Sequence, residues 1–160
     1  MALSPSAPPA TAPARPRKID SFQGEYRFLS NFYPAQVIFE GAAYPSVEHA
    51  YQAAKTLDPA ERRRIAAMPD PGDAKRAGPA LLQRDDWETV KFDVMEKCVR
   101  DKFARHPELR AALIATGDAY LEEGNTWSDV TWGVYQGHGD NRLGKILMNV
   151  REELLVTPAK

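Results

Sequence analysis

The stretch Tyr44-Pro45-Ser46-Val47-Glu48-His49-Ala50-Tyr51-Gln52-Ala53-Ala54-Lys55 decides how this chain is read. Pro45 halts whatever precedes it, and Ser46 is a good N-cap for the helix formers that follow. The spacing predicts a helix over Val47 to Leu57. At about 100° per residue, Glu48, Gln52 and Lys55 fall on one polar stripe, while Val47, Ala50, Tyr51 and Ala54 form the apolar stripe beside it. A carboxylate, an amide and an amine therefore line one edge of a helix that also enters the core. That edge suits a cleft, although on pattern alone it is first of all an ordinary solvated face. His49 sits on the same helix, as a core or surface histidine or as a binding group.

Upstream, Tyr26 to Leu29 reads as a short strand, Ser30 to Pro34 as a turn, and Gln36 to Glu40 as a second strand. Gly41 turns the chain so that Tyr44 pairs back in a hairpin. Downstream, Asp58-Pro59 opens a helix to about Ala67, and Pro69 to Gly72 breaks it. A helix from Asp73 to Leu82 follows, interrupted at Gly78-Pro79. Asp86 caps a long helix, Trp87 to Ala104, with Trp87, Val90, Val94 and Cys98 on one face. His106-Pro107 opens another helix, to Ala115. Tyr120 to Glu123 reads as a strand, and Gly124 to Asn141 as loop. A last helix runs from Asn141 to Leu155. Helices dominate and strands are few and short, so the fold class is α+β, predominantly helical, in a single compact domain.

The chain has 160 residues, the length of one domain. Its 21 Lys and Arg against 22 Asp and Glu leave a net charge of −1, which disfavours non-specific coating of nucleic acid. Cys98 is the single cysteine, so no intrachain disulfide forms and a reduced, cytoplasmic setting is expected. No apolar run approaches the ~18 residues that span a bilayer. Residues 1–18 are rich in Ala and Pro and read as a disordered leader. The domain is expected at 19–155, with 156–160 as a tail. The leader holds Arg15, Arg17 and Lys18 and no acid, so without it the net charge moves from −1 to −4. That favours a small ligand in a local pocket over a long nucleic-acid groove.

Two further constellations carry chemistry. Asp129-Val130-Thr131-Trp132-Gly133, after Trp127, suits an aromatic wall where a flat base stacks and a carboxylate orients it, or a core tryptophan with a turn glycine. Gly139 through Lys145 matches the first seven positions of a phosphate-binding P-loop, but Ile146 stands where Ser or Thr must hold magnesium. What survives is a Gly-rich loop opening a helix, with N–H groups that suit a phosphate. The scattered His49, His106 and His138 and one cysteine build no zinc site. No metal and no cofactor are expected.

Together these residues resemble a known family. Ser30-Asn31-Phe32, the Tyr44 to Lys55 stretch, Asp73-Ala74-Lys75, Asp86-Trp87, Lys102-Phe103, Thr116-Gly117, Leu121, Glu123, Asp129, Trp132-Gly133 and Asn141 to Met148 are similar, in order and spacing, to the NADAR (YbiA-like) domain. The resemblance covers Ile19 to about Leu155. Gly78-Pro79 departs from it, where a less broken segment is expected. It implies an N-glycosidase that cleaves a ribose–base bond. Two substrate classes follow: the phosphoribosylamino-pyrimidines of riboflavin biosynthesis, and ADP-ribose on nucleic-acid guanine. Nucleic acid is then a partner only as modified substrate, and no membrane is expected. The implied catalytic pair is Glu48 and Lys55. Ser30, Asn31, Phe32, His49, Gln52, Lys75, Trp87, Asp129, Trp132 and Gly133 are the expected binding residues, with Asn141 and Gly144 seating phosphate. The alternative is a non-catalytic module that binds ADP-ribose or a related nucleotide.

Overall fold

The computed structural model describes residues 16–156. Of the expected leader and tail, residues 1–15 and 157–160 lie outside them. The chain enters as β1 (Lys18–Ile19), and a 3-10 turn follows at Gly24–Leu29. β2 (Val37–Phe39) and β3 (Ala42–Tyr44) form an antiparallel hairpin. Its turn residues Glu40 and Gly41 both have positive φ, 48° and 80°, the twist that a tight hairpin needs. Then come α1 (Val47–Ala53), α2 (Pro59–Ala66), α3 (Pro71–Ala77), a 3-10 turn at Gly78–Ala80, α4 (Trp87–Arg105) and α5 (Pro107–Ala115). β4 (Tyr120–Leu121) pairs parallel with β1, and β5 (Gly124–Asn125) pairs parallel with β6 (Val134–Tyr135). α6 (Arg142–Val156) closes the fold. The α+β class with helices in the majority is therefore observed.

Capping explains where the helices start. Ser46 Oγ accepts from His49 N, Asp58 from Ala60 N and Asp70 from Gly72 N, and Pro59 and Pro71 stand in the first turns that follow the two aspartates. The Asp-Pro logic that places α2 thus also places α3, two residues ahead of the expected Asp73. Asp86 differs: its carboxylate caps nothing and instead holds Arg84, at 2.6 and 3.0 Å.

Four other expectations change. The strand read over Tyr120 to Glu123 stops at Leu121. The segment Tyr26 to Leu29 is not a strand. It lies in the 3-10 turn, whose i→i+3 bonds satisfy the backbone locally while only Leu29 is fully buried. α1 stops at Ala53, because Lys55 N and Thr56 N bond three residues back, to Gln52 O and Ala53 O, and tighten the last turn. Lys55 therefore stands just past the helix end. At the N-terminus, Tyr120 N donates to Arg17 O, so the ordered fold takes in Arg17 and Lys18.

α1 is the centre of the domain. All seven of its residues are buried, and it packs against α2, α3 and α4. Cys98 lies in this core on α4, where burial pushes its thiol up to about 12, so it stays an unreactive thiol. Lys102, also on α4, is 1% exposed, and burial pushes its amine down to about 7. Its Nζ donates to Phe28 O at 2.7 Å and Ser30 O at 3.0 Å. That buried amine pins the loop leading into Asn31, whose carbonyl in turn accepts from Glu48 N at 3.1 Å. Among the described residues, no helix is long and apolar enough to cross a membrane.

Candidate active site

A cavity of about 610 Å³ opens beside α1, within the usual range for a small-molecule site, ~300–1,000 Å³. Glu48, Tyr51 and Gln52 of α1, with Lys55 just past its end, form one wall. The loop after the first 3-10 turn contributes Ser30, Asn31 and Phe32. α3 contributes Lys75 and Arg76, and the loop before β6 contributes Trp127, Asp129 and Trp132. The polar edge of α1 is thus a cleft wall and not a solvated face.

Glu48 is 7% exposed. Burial raises its carboxyl above the ordinary carboxylate range, while the Gln52 hydrogen bond and the Lys75 and Lys55 charges pull it back. Gln52 Nε2 donates to Glu48 Oε1 at 2.7 Å, and Gln52 Oε1 is buried without a partner. That orphan oxygen lies against Gly78, where only the missing side chain leaves room for it. Burial lowers the Lys55 amine, and Glu48 opposes the shift. The stripe therefore holds a carboxylate that ionises reluctantly beside an amine that loses its proton more readily.

The aromatic wall is built around Tyr51. Its ring lies 5.1 Å from Trp87 and 5.5 Å from Trp132, edge-on to the latter, and its hydroxyl accepts from Trp132 Nε1 at 3.2 Å. Asp129 Oδ1 accepts from Thr131 N and Trp132 N, which fixes the loop and leaves Oδ2 outside those bonds. Lys75 Nζ stands 5.1 Å from the Trp127 ring and 5.7 Å from the Phe32 ring. Among the described residues, Arg27, Lys55 and Lys75 line the cavity and make no ion pair, so three cations are available to an anionic ligand.

Five expected site residues do not line the cavity. His49 is fully buried between Ser46 Oγ, 2.7 Å from Nδ1, and Met68 O, 2.8 Å from Nε2. A carbonyl only accepts, so Nε2 carries the proton and both nitrogens are spent on the fold. Trp87 backs Tyr51 from the core. Gly133 is a packing glycine: a Cβ there would run into the Glu123 carbonyl. Asn141 donates to Leu121 O at 2.8 Å and accepts from Glu123 N at 3.0 Å. A Cβ on Gly144 would strike Leu121 O and the Asn141 amide. The glycine loop is no phosphate seat, because the donors at the start of α6 are taken. Arg142 N bonds Thr131 O, Leu143 N bonds Trp132 O and Lys145 N bonds Asn141 O.

Glu123, which carries part of the family resemblance but has no expected site role, also lines the cavity. Its signal was in the sequence: in a strand, Leu121 and Glu123 share a face, so a buried Leu121 turns an acid inward. Gly78, the departure from the family pattern, also finds a reason. It is buried, and a Cβ there would overlap the Gln52 side-chain carbonyl and stand 3.3 Å from Lys55 Nζ. Gly78→Ala is expected to push Gln52 off Glu48 and cost about 1–3 kcal/mol. A thermal melt of the variant checks this, and an unchanged midpoint would contradict it.

Comparison with known proteins agrees with this geometry. The NADAR domain family model matches residues 19–155. The chain is 41% identical over 139 residues to the N-glycosidase YbiA of Escherichia coli, covering 85% of this chain and 86% of that protein. It is 42% identical over 130 residues to a riboflavin biosynthesis protein of Vibrio vulnificus, covering 79% of this chain and 35% of the relative. The chain thus spans about a third of that longer protein. The NMR structure of E. coli YbiA superimposes with a TM-score of 0.78 at 39% identity, covering 89% of this chain and 88% of the other.

Proposed function

The chain belongs to the NADAR domain family, and from that membership we propose that it hydrolyses the bond between C1 of a phosphorylated ribose and the nitrogen of an aminopyrimidine. Its relatives at about 40% identity are named N-glycosidases, and this chain is an N-glycosidase. The substrate class is supported by the riboflavin biosynthesis relative and by a cavity of small-molecule size.

The observation that carries the reading is Glu48, a carboxylate 7% exposed in a cavity wall that also holds the depressed amine of Lys55. Breaking a C–N glycosidic bond builds positive charge on the sugar, and an ionised Glu48 stabilises it. The Lys55 amine attacks C1 as the bond to the base nitrogen breaks, and that nitrogen takes up a proton. Lys55 passes a proton to Glu48, which hands it to the ring oxygen as the C1–O bond breaks and the ribose ring opens, and a protonated Schiff base to Lys55 results. Water then adds to C1, frees the lysine and leaves ribose phosphate. The net change is one water consumed, with ribose phosphate and the free amine as products.

Binding follows from the rest of the wall. Trp132 and Trp127 stack the base. Asn31 and Asp129 take hydrogen bonds from base or ribose, and Gln52 holds Glu48 in place. Arg27 and Lys75 hold the phosphate that the glycine loop does not.

The test is to incubate the protein with a ribosylaminopyrimidine phosphate and, separately, with an oligonucleotide bearing ADP-ribosylated guanine, and to separate the products. Free aminopyrimidine and ribose phosphate are expected from the first. Release from the guanine substrate alone would move the assignment to removal of ADP-ribose. Tight binding of either with no release would make the chain a binding module.

A further inference from the structure

Glu123 is the one cavity carboxyl with no role in that scheme. It follows β4 and precedes β5, and its main chain is held on both sides. Its N–H donates to Asn141 Oδ1 at 3.0 Å, and its carbonyl accepts from Val134 N at 2.8 Å. The absence of a side chain at Gly133 is what lets that carbonyl pack so closely. Asn141, expected to seat phosphate, instead presents Glu123. The side chain then enters a wall where Oε2 is sealed from water and has no hydrogen-bond partner. An unpartnered oxygen cannot stabilise negative charge, so the geometry favours the neutral acid.

Electrostatics point the same way. The charged groups facing Glu123 are Asp129 in the neighbouring loop, Glu48 on α1 and Lys75 on α3. Burial is the largest influence, the two carboxylates add to it and Lys75 alone opposes it, so the carboxyl is pushed up to about 8. Three carboxyls share one small cavity and two of them are reluctant to ionise. Glu48 has Gln52 and two lysines to support its charge. Glu123 has one lysine and an oxygen with no hydrogen-bond partner, surroundings that suit the protonated acid.

We infer that Glu123 is the general acid of the reaction, giving its proton to the departing base nitrogen. This rests on the N-glycosidase scheme above. As the C1–N bond breaks, its electron pair stays on nitrogen and the Glu123 proton is transferred to it. Glu48 takes the proton released by Lys55 at the same stage. Solvent returns a proton to Glu123 after the products leave. The two carboxyls therefore divide the work of acid and charge stabiliser, and their surroundings decide which does which.

Glu123→Gln keeps the shape and the hydrogen-bonding capacity and removes the transferable proton. On the ribosylaminopyrimidine phosphate, kcat is expected to fall by about 10²–10⁴-fold with KM little changed. Wild-type kcat is expected to decline with rising pH near 8, and that alkaline limb is expected to vanish in the variant. A purely structural role would leave the limb in place. A folded variant with wild-type kcat, or one that keeps the limb, overturns the assignment. Should the variant not fold, a wild-type kcat that stays flat through pH 9 overturns it equally. Wild-type protein that releases no base at all would instead sink the N-glycosidase scheme, and this role with it.

Discussion

Glu48→Gln is expected to lower kcat/KM on a ribosylaminopyrimidine phosphate by about 10³–10⁴-fold while the protein becomes no less stable. The two halves of that result have one cause. Burial holds the Glu48 carboxyl above its ordinary range, so its negative charge is concentrated in a poorly hydrated wall. There it acts strongly on a developing sugar cation. The same burial makes the charge a cost to folding. A carboxyl whose folded pKa is raised contributes stability that is fully present below its unfolded pKa and is lost as pH rises through the folded one. Above its folded pKa the ionised group is therefore a burden, and an uncharged glutamine relieves it. Its amide oxygen still accepts from Gln52 Nε2. Activity runs the other way. It is lost as pH falls through the raised pKa, so the acidic limb of wild-type kcat/KM stands above the usual carboxylate range and is absent in the variant. Thermal melts with steady-state rates from pH 4 to 9 check both halves. A variant that unfolds readily, or one with near-wild-type turnover, would contradict the role assigned to Glu48.

How much of this was legible in the sequence follows from how each residue reaches the cavity. Glu48 and Gln52 lie one helical turn apart on a capped helix, so local periodicity places them together, and their side chains do meet at 2.7 Å. Lys55 was placed on the same edge, although the helix ends before it. Asp129 and Trp132 were grouped by closeness in sequence, and their loop is held together by the Asp129 side chain. The glycine loop failed for a different reason. A free helix N-terminus and one whose N–H groups bond a neighbouring loop have the same sequence. Only the tertiary fold brings Thr131 O and Trp132 O to the start of α6. Glu123 needed a further step. It follows another acid, Glu122, and the pair looks like ordinary surface charge until the fold pairs Glu122 with Lys18 at 3.4 Å and turns Glu123 into the cavity. His49 had a motif position and no function in the cavity, because Met68 comes into reach only when α2 packs on α1.

Lys55→Ala is expected to have the larger effect, roughly 10⁴-fold or more, because it removes the attacking group and not a helper. The argument turns on protonation. An ammonium cannot attack C1, and in water a lysine is almost wholly ammonium at neutral pH. Burial lowers the Lys55 amine and Glu48 partly restores it, so the site holds a lysine nearer to its neutral form. Lys55→Arg should therefore rescue nothing, since a guanidinium keeps both charge and proton at any working pH. Borohydride added during turnover should fix ribose phosphate on Lys55 as a stable secondary amine, located by the mass of the modified peptide. The yield should rise with pH as the amine deprotonates. An enzyme that turns over fully and never traps, or a Lys55→Ala variant of near-normal rate, would leave water as the only nucleophile at C1. Glu48 would then activate that water directly. The leaving nitrogen needs a proton on either route, so the part assigned to Glu123 does not depend on which nucleophile attacks.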